Sequence, residues 1–448
     1  MKTRRQFLRA AAMTVFGAPF ILPAGLRAAS PNSKLCHACI GVTRMGHNDL
    51  KNFQDHERLQ IVALCDVDTR HLDQAAKIVP GARLYTDWRE LFEKECDKID
   101  SVNVTTPDHM HFPIAYTAVQ RGKNLYCQKP MCHDLAEVRT LTAAAVKKGI
   151  VTQLGTQFAS SIADRMTVEL IKRGAIGKIK HVYLCSNRPA PNRLKGPRPA
   201  TSEPPPPELK WDLWIGNAPT RPFAPDTYHP AKWRGWQDFG TSWCADMGCH
   251  ILDGTWRGLG LKAPTSVIAE VEESWKNSPE RRADNWPHNE HVTWMFPGNA
   301  MTAGKELVVE WFDGPEFLPP KEALALNPTG KYPKEAALLV GTEGAILHEH
   351  QTGPRLLPKE KFQGYKRPKQ PPARNHYHHY VDACLGGAKT ESHFAQTGPM
   401  TETILLGTIA IRCPDQKLEW DADAMKFPNC PEAERYLKRT YRAGWKVT

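Results

Sequence analysis

The chain lacks the marks of several partner classes. It has no arginine-rich run, no zinc-finger spacing and no RNA-binding aromatic motif, so a formal net charge of +11 over 448 residues does not read as a nucleic-acid footprint. Five of those charges (Lys2, Arg4, Arg5, Arg9 and Arg27) sit in residues 1–29, which contain no acid, and the +6 left for the remainder is modest. No internal repeat is visible. No apolar run reads as a spanning helix either: AAAMTVFGAPFILPAG is short and broken by Gly17, Pro19 and Pro23. Twelve cysteines invite a disulfide framework, but their spacing argues against one. Cys36 and Cys39 lie in the apolar run KLCHACIG, where residues three apart on a strand face opposite sides and cannot bridge. Cys65 and Cys127 fall in further strand-like runs, where cysteine behaves as a small hydrophobe. Free, mostly buried thiols are expected.

What is there begins with a leader. TRRQFLR (Thr3 to Arg9) precedes the apolar run, which ends near Ala28-Ala29 without a clean small-x-small triplet. Charged head, short apolar middle and small residues describe an export signal over residues 1–29, and Arg4-Arg5 followed by Phe7-Leu8 points to the twin-arginine route. That route carries folded proteins, which suits one that acquires a cofactor first. The expectation is a periplasmic address with no stable membrane insertion after the signal is removed.

Ordinary hydrophobic (41%) and charged (24%) fractions at this length predict a globular chain of two or three domains. From residue 34 the apolar runs LCHACIG, LQIVALCDV, IDSVNVTTP, NLYCQKP and VTQLGTQ alternate with helix-like segments at 25–35 residues per unit. This is the βαβ rhythm of a doubly wound parallel sheet, expected over 34–157. Residues 158–448 read as a second, α+β domain. It carries a proline-rich loop at 189–230 and then strand-like runs without helical crossovers (PTSVIAEVEESW, EHVTWMFPG, ELVVEWFDG, AALLVGTEGAILHEH), which predict an open, mainly antiparallel sheet. Helices are expected near 245–258, 374–386, 397–411 and 431–443.

CIGVTRMGHNDL follows the first strand and opens a helix, where a dinucleotide fingerprint belongs. The pattern is Gly41-x-Thr43-x-x-Gly46, with the middle glycine missing, and Arg44 and Met45 lie inside the turn. Asp66 ends the second strand twenty residues past Gly46. An acid there accepts from ribose hydroxyls and repels a 2′-phosphate, favouring NAD over NADP. Arg44 is placed either along the phosphates or in solvent.

A lysine held before a proline, in QKP at 128–130, marks the end of another strand. Pro130 denies Lys129 the helical conformation and so fixes its direction. Together with Gly41 and Gly46, TTPDHMH at 105–111, DFGTSWCADMGCHILD at 238–253, WDLWIGNAPTRPF, YHPAKWRGW, VGTEGAILHEH and LEWDADAMKF, this motif makes nearly all of the chain after the signal resemble the glucose–fructose oxidoreductase, inositol dehydrogenase and rhizopine-catabolism (Gfo/Idh/MocA) family, in its exported twin-arginine branch. The resemblance implies an N-terminal Rossmann domain, a C-terminal open-sheet α/β domain and a tightly bound nicotinamide cofactor between them. The family's Glu-Lys-Pro matches Gln128-Lys129-Pro130, with glutamine for glutamate, so one carboxylate partner is lost. Its catalytic Asp-x-x-x-His matches Asp246 and His250, which share a face if that segment is helical.

Oxidising a sugar alcohol requires a base for the hydroxyl proton while hydride leaves carbon. His250 suits the base role, Lys129 would steady the developing alkoxide, and Asp246 would orient the histidine or bind a neighbouring hydroxyl. Thr105, Thr106, Pro107 and His109 are candidate cofactor contacts at a strand's carboxyl end, although His109 and His111 equally suit polar helix-start roles. Gln157 is a candidate for the nicotinamide amide; Tyr228, Arg234 and Trp236 are candidates for a sugar pocket. Asp253 reads as a structural helix acid. His376 and His379 in NHYHHY stand one helical turn apart, but no metal is expected.

Three readings follow: an NAD-dependent oxidoreductase acting on a carbohydrate or polyol, working as a homo-oligomer; an NAD-retaining glycoside hydrolase using transient oxidation, elimination and reduction; and a non-catalytic sugar-binding protein on the same fold.

Overall fold

The computed structural model describes residues 34–187, 197–200, 202–327 and 329–447; the expected signal and residues 189–196 of the proline-rich loop lie outside the described residues. Strand and helix alternate from Leu35 as the apolar spacing predicts. Strands β1 (Leu35–Ile40), β2 (Leu59–Cys65), β3 (Arg83–Tyr85), β4 (Ser101–Val104), β5 (Asn124–Cys127) and β6 (Thr152–Leu154) form a six-stranded sheet in the order β3-β2-β1-β4-β5-β6. Every pair is parallel. Order reverses between β1 and β4, and the crevice beyond their carboxyl ends is where such sheets take ligands. The edge strand β3 has no counterpart in the apolar pattern, because Arg83 and Leu84 are exposed and only Tyr85 is buried.

Three crossover helices start on side-chain caps that satisfy first-turn amides: Asp68 for Thr69–Ile78, Asp87 for Trp88–Glu95, and Asp134 in a capping box with Glu137 for Leu135–Lys148. The helix Met45–Gln54 starts at Arg44 without one.

The second sheet contains β7 (Ile179–Ser186), β8 (Ser266–Val271), β9 (Glu290–Pro297), β10 (Glu306–Asp313), β11 (Glu335–Gly341), β12 (Ala345–Glu349), β13 (Arg355–Leu357) and β14 (Leu418–Glu419), in the order β13-β12-β11-β7-β10-β9-β8-β14. It is antiparallel except for the β7–β10 pair. Alternation decides its faces: in β9, Val292, Trp294 and Phe296 point inward, while His291, Thr293 and Met295 do not. The inward face packs on the helix Phe394–Arg412, where Trp294 Nε1 donates to the Thr403 carbonyl at 2.9 Å. One apolar core runs through both sheets, from Val102 and Leu125 to Trp294 and Ile404.

The helix expected over 245–258 is two, Ser242–Ile251 and Asp253–Leu259, meeting at Leu252. Those expected near 374–386 and 397–411 are His376–Cys384 and Phe394–Arg412. The helix expected over 431–443 is only a 3-10 turn, Pro431–Tyr436. The residues after it spend their side chains on the first domain instead: Arg439 Nη2 donates to Glu137 at 3.0 Å, and the Arg89 guanidinium lies 4.4 Å from the Trp445 ring centre. All twelve cysteines are free.

Candidate active site

The carboxyl ends of β1, β2, β4 and β5 open into one cleft, lined among others by Gly41, Thr43, Arg44, Met45, Asp66, Thr105, Thr106, Pro107, Gln128, Lys129 and Arg234. Two glycines shape its floor. Gly41 has φ +83°, and a Cβ there would lie 2.4 Å from the Thr105 carbonyl; a Cβ on Gly46 would lie 2.1 Å from the Gly41 carbonyl. Any side chain at either position would push the first turn away from β4. Asp66 Oδ2 accepts from the Val42 amide and Oδ1 from the Asp68 amide, both at 3.0 Å, so the carboxylate is aimed before any ligand arrives.

The cleft suits a dinucleotide on its own evidence. The helix Met45–Gln54 offers first-turn amides that no side chain caps, a place for phosphate. The Thr106 hydroxyl is buried with no hydrogen-bond partner among the described residues.

The C-terminal half of the proline-rich loop closes the cleft from above. Lys210 donates its amide to the Val67 carbonyl at 2.9 Å, Thr69 donates to the Glu208 carbonyl at 3.1 Å, and His229 Nε2 donates to Asp68 Oδ2 at 3.0 Å. Asp68, His71 and His229 thereby bring three ligand-type atoms within 4.8 Å of one another. Arg70 already takes both Asp68 oxygens, at 2.9 and 2.6 Å, which places a guanidinium where a cation's charge would have to go.

At the other end, Lys129 follows β5 with a cis bond to Pro130. Its ammonium donates to Asp246 twice, to the carbonyl at 2.7 Å and to Oδ1 at 2.9 Å. Arg234 Nε reaches the same Oδ1 at 3.3 Å, its guanidinium stacked 4.1 Å over the Trp233 ring centre. Burial works against the Asp246 charge, but Lys129 and then Arg234 outweigh it and hold this carboxyl well below its ordinary range. Asp108 lines the same cleft, only 2% exposed, and accepts from Thr241 Oγ1 at 2.8 Å. Burial, and then the charge of Asp246, push its carboxyl up to about 7. Lys129 thus has beside it one carboxyl kept charged, while a second, on the cleft wall, is raised to titrate near neutrality, the arrangement that separates acid from base roles.

Not every candidate faces the cleft. His250 sits one turn past Asp246, partly exposed, with its ring 6.3 Å from Phe158 and 5.3 Å from His350; it influences the Asp246 charge but, like Asp246 itself, does not line the cleft. His109 is turned into the protein, with Nε2 3.1 Å from the Trp214 carbonyl, and burial holds its pKa near 3. In its place His111 lines the cleft, its ring nitrogens 2.8 and 2.9 Å from the carbonyls of Pro130 and Thr106. Tyr228 and Trp236 are core, 1% and 2% exposed, packed with Trp214 and Phe239 rather than lining a sugar pocket. An aromatic side chain in a long loop without other core pays most by packing there. Gln157 lies in the 3-10 turn Gln157–Ser160, past the end of β6, with Nε2 3.3 Å from the Tyr126 hydroxyl, and does not line the cleft. His376 spends its nitrogens on Ser160 Oγ (2.8 Å) and the Leu154 carbonyl (3.0 Å). Asp253 is structural as expected, taking Arg257 Nε at 2.7 Å.

Sequence reasoning passed over Asp108, Trp233 and His229. Asp108 carried a usable signal, since it directly follows Pro107 at the end of β4. Trp233 and His229 did not, because only the folded loop brings them to the cleft.

Comparisons with known proteins agree with this architecture. Residues 36–156 match the model of an oxidoreductase family with an NAD-binding Rossmann fold, and residues 193–283 match that of the same family's C-terminal alpha/beta domain. A D-apiose dehydrogenase from Paraburkholderia graminis is 31% identical over 140 residues, 31% of this chain and 37% of the relative. A glycosyl hydrolase family 109 protein from Shewanella pealeana is 24% identical over 151 residues, 32% of this chain and 33% of the relative. The chain thus spans about a third of the length of these curated relatives. Among solved structures, the WlbA dehydrogenase from Bordetella pertussis, in complex with NADH and UDP-GlcNAcA, superposes with a TM-score of 0.60 at 14% identity, covering 87% of this chain and 100% of that one; at that identity the likeness is one of fold.

Proposed function

From a chain whose two domains belong to the Gfo/Idh/MocA oxidoreductase family, we propose an NAD-dependent oxidoreductase that moves hydride between a carbohydrate or polyol carbon and a nicotinamide. The observation that carries this reading is Lys129, which lines the dinucleotide cleft at the carboxyl end of β5 and is held there by Asp246 at 2.9 Å. Gly41, Gly46, the uncapped helix start, Asp66, Thr105 and Thr106 would hold the dinucleotide, and Asp66 favours NAD. The bound nicotinamide would supply the hydride acceptor. Lys129 has a third N–H to give a substrate hydroxyl, with Asp246 holding the ammonium in place. Arg234 and Trp233 present a cation and a ring face to neighbouring hydroxyls. His250, a turn further along the helix, would take the hydroxyl proton from a substrate that extends past Asp246, and protonated Asp108 would stand opposite as an acid.

The strap over the cleft, pinned at Val67, Asp68 and Thr69, favours a cofactor that stays bound between turnovers. With the exported address read from residues 1–29, retention would spare the enzyme any need for a periplasmic NAD pool. Retention and the protonated Asp108 also support the second reading, NAD-retaining glycoside cleavage, which requires an acid for the departing oxygen; the glycosyl hydrolase family 109 relatives point the same way.

The test is reduction of bound nucleotide by a panel of aldoses and polyols, with aryl-glycoside cleavage without added NAD run beside it. Lys129→Met is expected to cut turnover by about a thousandfold or more while nucleotide binding changes little. Full turnover in that variant would remove the reading.

A further inference from the structure

Asp49 lies in the helix Met45–Gln54, within a turn of Gly46, and is fully buried. Its carboxylate collects three side chains from three parts of the chain. Gln128 Nε2 lies 3.1 and 2.9 Å from its two oxygens, Thr105 Oγ1 donates at 2.7 Å, and the Tyr377 hydroxyl donates at 2.8 Å. All three donors are neutral. A buried carboxylate held only by neutral donors depends on each of them, since losing one exposes a charge to an apolar interior. Gln128 and Thr105 are also walls of the cleft, and Gln128 immediately precedes Lys129. The Gln128 amide packs on Gly155, where a Cβ would stand 2.4 Å from its carbonyl oxygen, and because a carboxylate only accepts, the amide turns its nitrogen to Asp49.

This geometry explains the glutamine in Gln-Lys-Pro. A glutamate at 128 would set a second carboxylate about 3 Å from the first, and two buried carboxylates at that distance do not both ionise. With Asp49 present, position 128 requires a donor.

We propose that Asp49 is a positioning residue of the dinucleotide site, carrying the carboxylate that the family motif places at 128 and orienting Gln128 and Thr105 against the cofactor. The inference rests on the dinucleotide-dependent reading above. Positions 49 and 128 then form a unit in which donor and acceptor can be exchanged but not duplicated.

The test uses the full chain, freed of nucleotide, with two readouts: unfolding temperature, and NAD affinity by titration calorimetry. Gln128→Glu is expected to weaken NAD binding by about tenfold or more at about pH 8 and to recover affinity toward about pH 5.5, where the two carboxyls share a proton. The groups facing the pair are Tyr126, Tyr377 and Cys39, all pushed upward by burial and so away from that window, while burial raises the Asp49 carboxyl itself to about 6, so the parent is titrated beside the variant at both pH values. The exchange Asp49→Asn with Gln128→Glu restores one donor and one acceptor. It is expected to return affinity to within about threefold of the parent and to bring the pH dependence back to the parent's. A merely structural defect would not be rescued by a second substitution. Parent-like NAD affinity in Gln128→Glu at about pH 8, or an exchange variant no better than Gln128→Glu, overturns the proposal. A parent chain that binds no dinucleotide overturns the functional reading together with the positioning role. Unfolding temperatures alone then decide whether 49 and 128 are coupled, with rescue by the exchange supporting the pairing and additive losses refuting it.

Discussion

Asp246 and Asp108 are neighbouring aspartates with opposite fates, and their partners account for the difference. Asp246 bonds two cations, whereas Asp108 accepts from a hydroxyl and faces Asp246. A folded-state pKa raised to about 7 means that the native protein keeps a proton the unfolded chain releases above about 4, so this group lowers stability progressively as pH rises from about 4 to about 7. Asp108→Asn removes that dependence. Its unfolding temperature is expected to gain on the parent's across this window, by an amount corresponding to roughly 2–4 kcal/mol in full. A gap that stays constant with pH would show that Asp108 is not protonated in the native state.

Among elements, the strap over 208–239 has the most direct functional consequence. It holds to the parallel sheet by backbone bonds around Val67 and Thr69 and by the His229–Asp68 contact, while its tryptophans and Tyr228 make a small core of their own. On the retained-cofactor reading, dinucleotide exchange would require this segment to lift. His229→Ala removes one bond to a buried carboxylate but leaves the strap's core intact, so NAD release from preloaded protein is expected to quicken about tenfold. Stopped-flow fluorescence on dilution reads this rate, and an unchanged rate would mean that the strap does not gate the site. Elements of this kind are also the least legible from residue order. The parallel strands other than the exposed edge strand β3 announced themselves because they are largely buried, and the inward alternation of β9 matched EHVTWMFPG. YHPAKWRGW, by contrast, offered Tyr228 and Trp236 as pocket residues, and the loop's need for a core of its own claimed them instead.

Across the whole molecule, the two sheets share one core, and the C-terminal residues return to the first domain through Arg439, Tyr441 and Trp445. Domains joined this way do not unfold separately. Calorimetry of residues 34–448 is expected to show a single transition, moved upward by saturating NAD by an amount equivalent to about 3 kcal/mol at a hundredfold excess over the dissociation constant. Two resolved transitions, with NAD moving only one, would show that the sheets are energetically independent.

Residue order alone was enough for the alternating parallel domain, the glycines at 41 and 46, the acid at 66, the lysine at 129, the acid four residues before His250 and the free thiols. Each of these is written in local spacing: an apolar period, a turn that admits no side chain, a proline that restricts its neighbour. Long-range packing alone decided which of the nominated side chains meet. It brought Lys129 to Asp246, turned His109 inward and His111 toward the cleft, drew Asp49 to Gln128, and pushed one aspartate's pKa down and another's up to about 7. Those outcomes depend on burial and on charges more than a hundred residues away in the chain, and no local window contains them.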